Sequence, residues 1–138
     1  MSATDDFIKS VPDGGSYEAT SAPWPTELRV FKEEGRLEID FSDGTNCSLP
    51  AEYLRVESPS AEVQGHGPSQ KKIVSGRRHV KIAAVEPVGH YAIRIVFDDR
   101  HDSGIYSWAY LRELADTQAE RWAAYQAALL YRGLSRDA

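Results

Sequence analysis

The chain has 138 residues, enough for one domain with a real core and too few for two ordinary ones. A hydrophobic share of 41% and a charged share of 27% are ordinary for a globular protein. The net charge of −5 argues against general binding to nucleic acid or anionic membrane, both of which want a basic face; a local basic patch remains at Lys71, Lys72, Arg77, Arg78 and Lys81.

The single cysteine, Cys47, cannot form an internal disulfide and excludes every cysteine-based metal cage. It reads as a small buried residue on a strand. No stretch approaches the roughly 20 apolar residues of a membrane span. The start, Met-Ser-Ala-Thr-Asp-Asp, lacks the basic and apolar run of a signal peptide. The expected location is the cytoplasm.

Residues 1–23 show no apolar periodicity and are expected to be a flexible N-terminal tail, with Phe7-Ile8 the one pair suited to docking. Order is expected from Trp24. Residues 26–32 alternate with Leu28 and Val30 on one side, and 37–41 alternate strictly, the signature of half-buried strands. Asp43-Gly44 supplies the positive φ of a tight hairpin, and 46–49 form a third strand of the meander. Pro50 opens one or two helical turns through Arg55. A long loop over 58–78 follows, of a length that is uncommon inside a compact domain unless functional or mobile.

Residues 79–85 read as a strand with Val80, Ile82 and Ala84 on one face, and Pro87 marks an edge or a bulge. Residues 91–97 are the most strand-like run, with Tyr91, Ile93, Ile95 and Phe97 sharing a face. After the turn at 98–102, residues 103–106 pair back. Ser107 caps a helix that breaks near Asp116. Thr117 and Glu120 match a capping box for a second helix, which Gly133 ends. The expected fold is a single α+β domain over 24–133, with an antiparallel β-sheet, a short helix after the third strand, C-terminal helices packed on the sheet, and a C-terminal tail at 134–138.

Chemistry-bearing side chains crowd at 98–108. Asp98, Asp99, His101 and Asp102 offer oxygen and imidazole ligands that suit zinc, manganese or iron(II), but their spacing fits no compact metal motif, and tight turns take aspartates for local hydrogen bonding anyway. Ser103 or Ser107 with His101 and an aspartate makes a triad in name only, since neighbours on a strand face opposite ways. Gly65-His66-Gly67 lacks the context of a phosphate loop. The Lys71–Arg78 basic loop reads as a solvated face, His66, His79 and His90 as surface or strand-end histidines, and Trp24, Trp108 and Trp122 as packing between sheet and helices.

Several segments, taken together, resemble a known family. They are Trp24-Pro25-Thr26-Glu27-Leu28, Leu37-Glu38-Ile39-Asp40-Phe41-Ser42-Asp43-Gly44, Leu54-Arg55 followed by Ser58-Pro59-Ser60-Ala61-Glu62, Glu86-Pro87-Val88-Gly89, and Phe97-Asp98-Asp99 with His101 and Gly104-Ile105-Tyr106-Ser107-Trp108. In this order they are similar to the bacterial domain of unknown function related to the N-terminal domain of gamma-butyrobetaine hydroxylase. In the hydroxylases the domain precedes the catalytic β-helix and binds zinc through three loop cysteines and a histidine. The resemblance places His101 at that histidine and Ser58, Ser60 and Val63 at the cysteines, so the zinc site in that form is lost. It also implies that the His101 turn lies against the 58–63 loop. Arg100 stands where relatives commonly carry glycine, which leaves the turn's backbone geometry open. Relatives also occur fused to nucleotide-binding iron–sulfur carriers, an association that implies an accessory role near iron–sulfur cluster assembly.

The leading expectation is a non-enzymatic binding or adaptor domain with no cofactor, no nucleic acid and no membrane. It would dock a protein partner, an iron–sulfur assembly or carrier protein by that association, through Leu54, Arg55, Ser58, Ser60, Glu62 and His101. The alternative is a zinc- or iron-binding module in which Glu57, Glu62, His66 or Asp99 joins His101. A third reading, a small hydrolase, lacks a complete catalytic set.

Overall fold

The computed structural model describes residues 6–8, 23–60, 63, 73–102 and 104–137. Period-two alternation builds its first sheet. Strands β2 (Pro25–Phe31) and β3 (Arg36–Phe41) pair antiparallel, setting Leu28 opposite Ile39 and Val30 opposite Leu37, and all four are fully buried. Strand β4 (Asn46–Pro50) adds to β3 with Leu49 opposite Leu37. Gly44, at φ +89°, closes the expected Asp-Gly turn, and Thr45 N–H donates to Asp43 Oδ1 at 3.1 Å. Strand β1 (Asp6–Ile8) pairs with β2, so three residues of the stretch expected as a tail form the sheet's edge; the others of 1–22 lie outside the described residues.

The second sheet has the order β5 (Ile82–Val88), β6 (Ala92–Phe97), β7 (Gly104–Ser107), all antiparallel. The strands therefore divide into a four-stranded and a three-stranded sheet. Strand β5 starts three residues later than the alternation over 79–85 suggests. Lys81 is held by the turn beyond β6, accepting from Asp98 N–H at 2.9 Å and donating its own N–H to Asp98 Oδ1 at 3.0 Å, and a register shift follows between Ile82 and Ala84. Pro87 sits on this edge strand, as its missing N–H requires. Tyr91 precedes β6 and is 51% exposed, so it does not share the core face of Ile93, Ile95 and Phe97.

Helix α1 (Ala51–Val56) is buried along its whole length. Helix α2 (Trp108–Asp116) is capped by Ser107, whose Oγ accepts from Tyr110 N–H at 3.1 Å, and it buries Trp108, Leu111 and Leu114. Helix α3 (Gln118–Arg132) ends at Gly133, φ +68°, with Leu134 N–H on the Leu129 carbonyl at 2.8 Å. The capping box expected at Thr117 does not form. Thr117 closes α2 as well as opening α3, and its hydroxyl donates back to the Glu113 carbonyl at 2.6 Å while accepting from Arg121 Nε at 2.8 Å. The chain after α3 is tied down. Ser135 and Arg136 carbonyls accept from Gly76 and Arg78 N–H at 2.9 and 3.0 Å, and Arg136 grips the buried Glu52 carboxylate through two bonds of 2.8 and 2.7 Å.

Both sheets contribute to one core, in which Leu28, Ile39, Ile93, Ile95, Leu54 and Leu111 pack together. Trp108 lies in it and Trp24 and Trp122 pack against it, as expected. Cys47 is half-buried on β4, and burial pushes its thiol up to about 11. Among the described residues no helix is long and apolar enough to cross a membrane.

Candidate functional site

The end of α1 and the β6–β7 turn meet beneath β7. The turn is closed by Arg100 N–H on the Phe97 carbonyl at 3.1 Å and Phe97 N–H on the His101 carbonyl at 2.9 Å. Arg100 takes φ +73°, the left-handed region where an L side chain crowds its own backbone. A glycine at this position would carry no such crowding. Asp99 Oδ1 accepts from His101 N–H at 3.1 Å, the local bond for which tight turns favour aspartate.

His101 Nε2 lies 2.9 Å from Ser58 Oγ and 3.3 Å from Ser60 Oγ, and Ser58 Oγ donates to Ser60 Oγ at 3.2 Å. Ser58 is 0%, Ser60 7% and His101 7% exposed. The two hydroxyls and the imidazole satisfy one another inside the protein, as buried polar groups must. The implied contact of the His101 turn with this loop is therefore present at Ser58 and Ser60. Gly104 makes room for it: a Cβ there would stand 2.7 Å from Ser58 Oγ and 3.0 Å from the Tyr106 ring. The Tyr106 hydroxyl donates to the Leu54 carbonyl, and burial holds this phenol far above its ordinary pKa.

Charged groups surround this cluster. Arg55 Nε donates to Asp99 Oδ2 at 2.8 Å. Arg77 Nε lies 2.8 Å from the same oxygen, but its N–H does not aim at it, so the contact is an ion pair without a hydrogen bond. Burial alone would raise the Asp99 carboxyl. The hydrogen bonds from Arg55 and His101 N–H and the two arginine charges outweigh it, and the group lies below its ordinary value. Glu57 pairs with Arg121 at 3.1 Å, and its carbonyl accepts from the Tyr110 hydroxyl at 2.6 Å. Burial pushes Tyr110 up to about 12.

On the far side of the Glu57–Arg121 pair a cleft opens between the end of α1 and α3. It holds about 260 Å³ and is lined mainly by Val56, Ile73, Val74, Ala124, Tyr125 and Ala128. The Tyr125 hydroxyl donates to the Val74 carbonyl at 2.6 Å, which fixes the 73–74 segment as one wall. Tyr131, one helical turn beyond Ala128, is 90% exposed and extends this side of α3.

The structure brings Leu54, Arg55, Ser58, Ser60, Asp99 and His101 together, but in the interior. Leu54 is 0% and Arg55 8% exposed, so these side chains hold a surface from beneath and do not present one. Glu62 and His66 lie outside the described residues. The metal candidates that are described do not converge: Glu57 faces Arg121, Asp99 faces two arginines, and no three His, Cys, Asp or Glu form a metal-holding group among the described residues. The zinc of the hydroxylases does not fit here either. Its thiolate positions carry two hydroxyls bonded to the histidine and the apolar side chain of Val63, which is 2% exposed. Ser107, named for a triad, is spent on capping α2, and Ser103 lies outside the described residues. Sequence reasoning missed Arg77, Arg121 and Tyr110. Arg77 was hidden in a basic run read as solvated, and Arg121 and Tyr110 lie more than 50 residues along the chain from Glu57.

Two antiparallel sheets, a short buried helix feeding a polar loop, and a histidine turn locked to that loop define a small α+β domain without a metal cage of the described residues. The chain belongs to the family described as gamma-butyrobetaine hydroxylase-like, N-terminal, which matches residues 28–112. Two protein structures solved in solution by NMR are each 44% identical to it. One covers 83% of this chain and 90% of its own at a TM-score of 0.72, the other 85% and 87% at 0.73. A crystal structure of a protein of unknown function from Acidithiobacillus ferrooxidans, assigned to the DUF971 family, is 40% identical. It covers 67% of this chain and 92% of its own at a TM-score of 0.57. No curated protein matches.

Proposed function

We propose that this domain is a non-enzymatic adaptor that docks a protein partner in the cleft between α1 and α3. The observation that carries this reading is the contrast in how side chains are used. The polar residues around His101 are bonded to one another, whereas the cleft leaves apolar side chains open beside an exposed Tyr131. An apolar recess with a charged pair at its rim suits an apolar anchor side chain of a partner, with a polar group beside it to meet Glu57 or Arg121. The resemblance points the choice of partner toward iron–sulfur assembly or carrier proteins, by association alone.

The test is affinity purification from the native host with wild-type bait and an Ala128→Glu bait, with metal content measured on the same samples. The reading expects one partner recovered with the wild type, lost with Ala128→Glu, and an iron–sulfur protein among the candidates. Equal recovery by both baits removes the cleft from the account. Stoichiometric zinc or iron on the purified domain would favour the metal-binding module instead.

A further inference from the structure

The Arg55–Asp99–Arg77 cluster carries two guanidinium charges against one carboxylate. Arg55 comes from the last turn of α1, Arg77 from the segment before β5 and Asp99 from the β6–β7 turn, and both arginines reach the same oxygen, Asp99 Oδ2, at 2.8 Å. Among the described residues, the neighbouring carboxylates do not balance the excess: Glu57 pairs with Arg121 and Glu52 with Arg136. Two N–H donors in this cluster, Arg55 Nη1 and Arg77 Nε, are buried with no hydrogen-bond acceptor among the described residues. Buried donors are rarely left so, above all on a charged group, because each forfeits its hydration without replacement. The Arg55 side chain is only 9% exposed, while Arg77 at 35% and Asp99 at 21% give the cluster an open edge.

We propose that this cluster is a subsite for a small oxyanion, a carboxylate or phosphate group, whose oxygens accept from Arg55 and Arg77. Guanidinium groups favour such ligands because their planar N–H forks match two oxygens at once. Arg77 is anchored for this role, its Nη1 donating to the Ser75 carbonyl at 3.0 Å. The site is separate from the α1–α3 cleft and stands whether or not a protein docks there.

The test follows the arginine Nε–H resonances of the full chain by NMR during titration with sodium phosphate, sodium acetate, and sodium chloride at matched ionic strength. The proposal expects saturable shifts at Arg55 and Arg77 with phosphate or acetate and none with chloride, and whichever oxyanion binds more tightly names the ligand group. Arg77→Gln, at a partly exposed position, should weaken that binding about tenfold or more, while Arg94→Gln, at the exposed pair with Glu86, leaves it unchanged. Absence of saturation, an equal response to chloride, or a response untouched by Arg77→Gln overturns the proposal.

Discussion

The two sides of the α1 terminus use the same kinds of residue in opposite ways. Toward the β6–β7 turn, Ser58, Ser60 and His101 are buried and bonded to each other. Toward α3, apolar side chains line an open cleft, and the charged pair Glu57–Arg121 stands at its edge. A crowd of catalytic-type residues thus marks the internally bonded side, and the side with an open recess is lined by alanines, valines, an isoleucine and a tyrosine. Side-chain type alone does not locate a binding site; the test is whether hydrogen-bond capacity and apolar area are already consumed.

That contrast predicts large stability effects on the locked side. His101→Ala should cost about 3 kcal/mol, because it leaves two buried hydroxyls short of a partner and opens a cavity; denaturant unfolding measures it. Gly104→Ala should cost about 1–3 kcal/mol, since the added methyl meets Ser58 Oγ and the Tyr106 ring; Gly104→Ala combined with Ser58→Ala should recover part of that loss. Arg100→Gly should stabilise by about 1 kcal/mol by relieving the left-handed φ, a gain visible as a higher melting temperature.

The alkaline response comes from tyrosines that packing withdraws from water. Burial raises Tyr53, Tyr110 and Tyr125 to about 12 from an ordinary value of 10.0. The unfolded chain therefore loses these protons first. The associated stability is complete below pH 10 and lost between about pH 10 and 12. Tyrosinate absorbance that rises only with unfolding would show it, and simple titration near pH 10 without unfolding would contradict it.

Much of the first sheet was legible because its alternation is strict and Asp43-Gly44 and Gly133 have one good conformational use each. Ser107 was legible as a cap for the same local reason. The start of β5 was not, because the turn at Asp98 draws Lys81 out of the pattern, a long-range contact with no local signal. Thr117 misled because a motif read for one helix was shared between two. At the site, the resemblance placed His101 against Ser58 and Ser60, but burial of the whole set follows from long-range packing of the β6–β7 turn on the end of α1, and the cleft on the other face depends on how α3 packs. At Arg100 the sequence left the turn's backbone geometry open, and the structure answers it with a left-handed φ of +73°.

The most direct test of the account is site-specific photo-cross-linking in the native host, with the reactive group placed at Ala128 in the cleft, and at exposed Glu86 on β5 as the control. The account predicts one discrete protein adduct from position 128 and none from 86. Equal adducts from both positions, or none from 128, would contradict it.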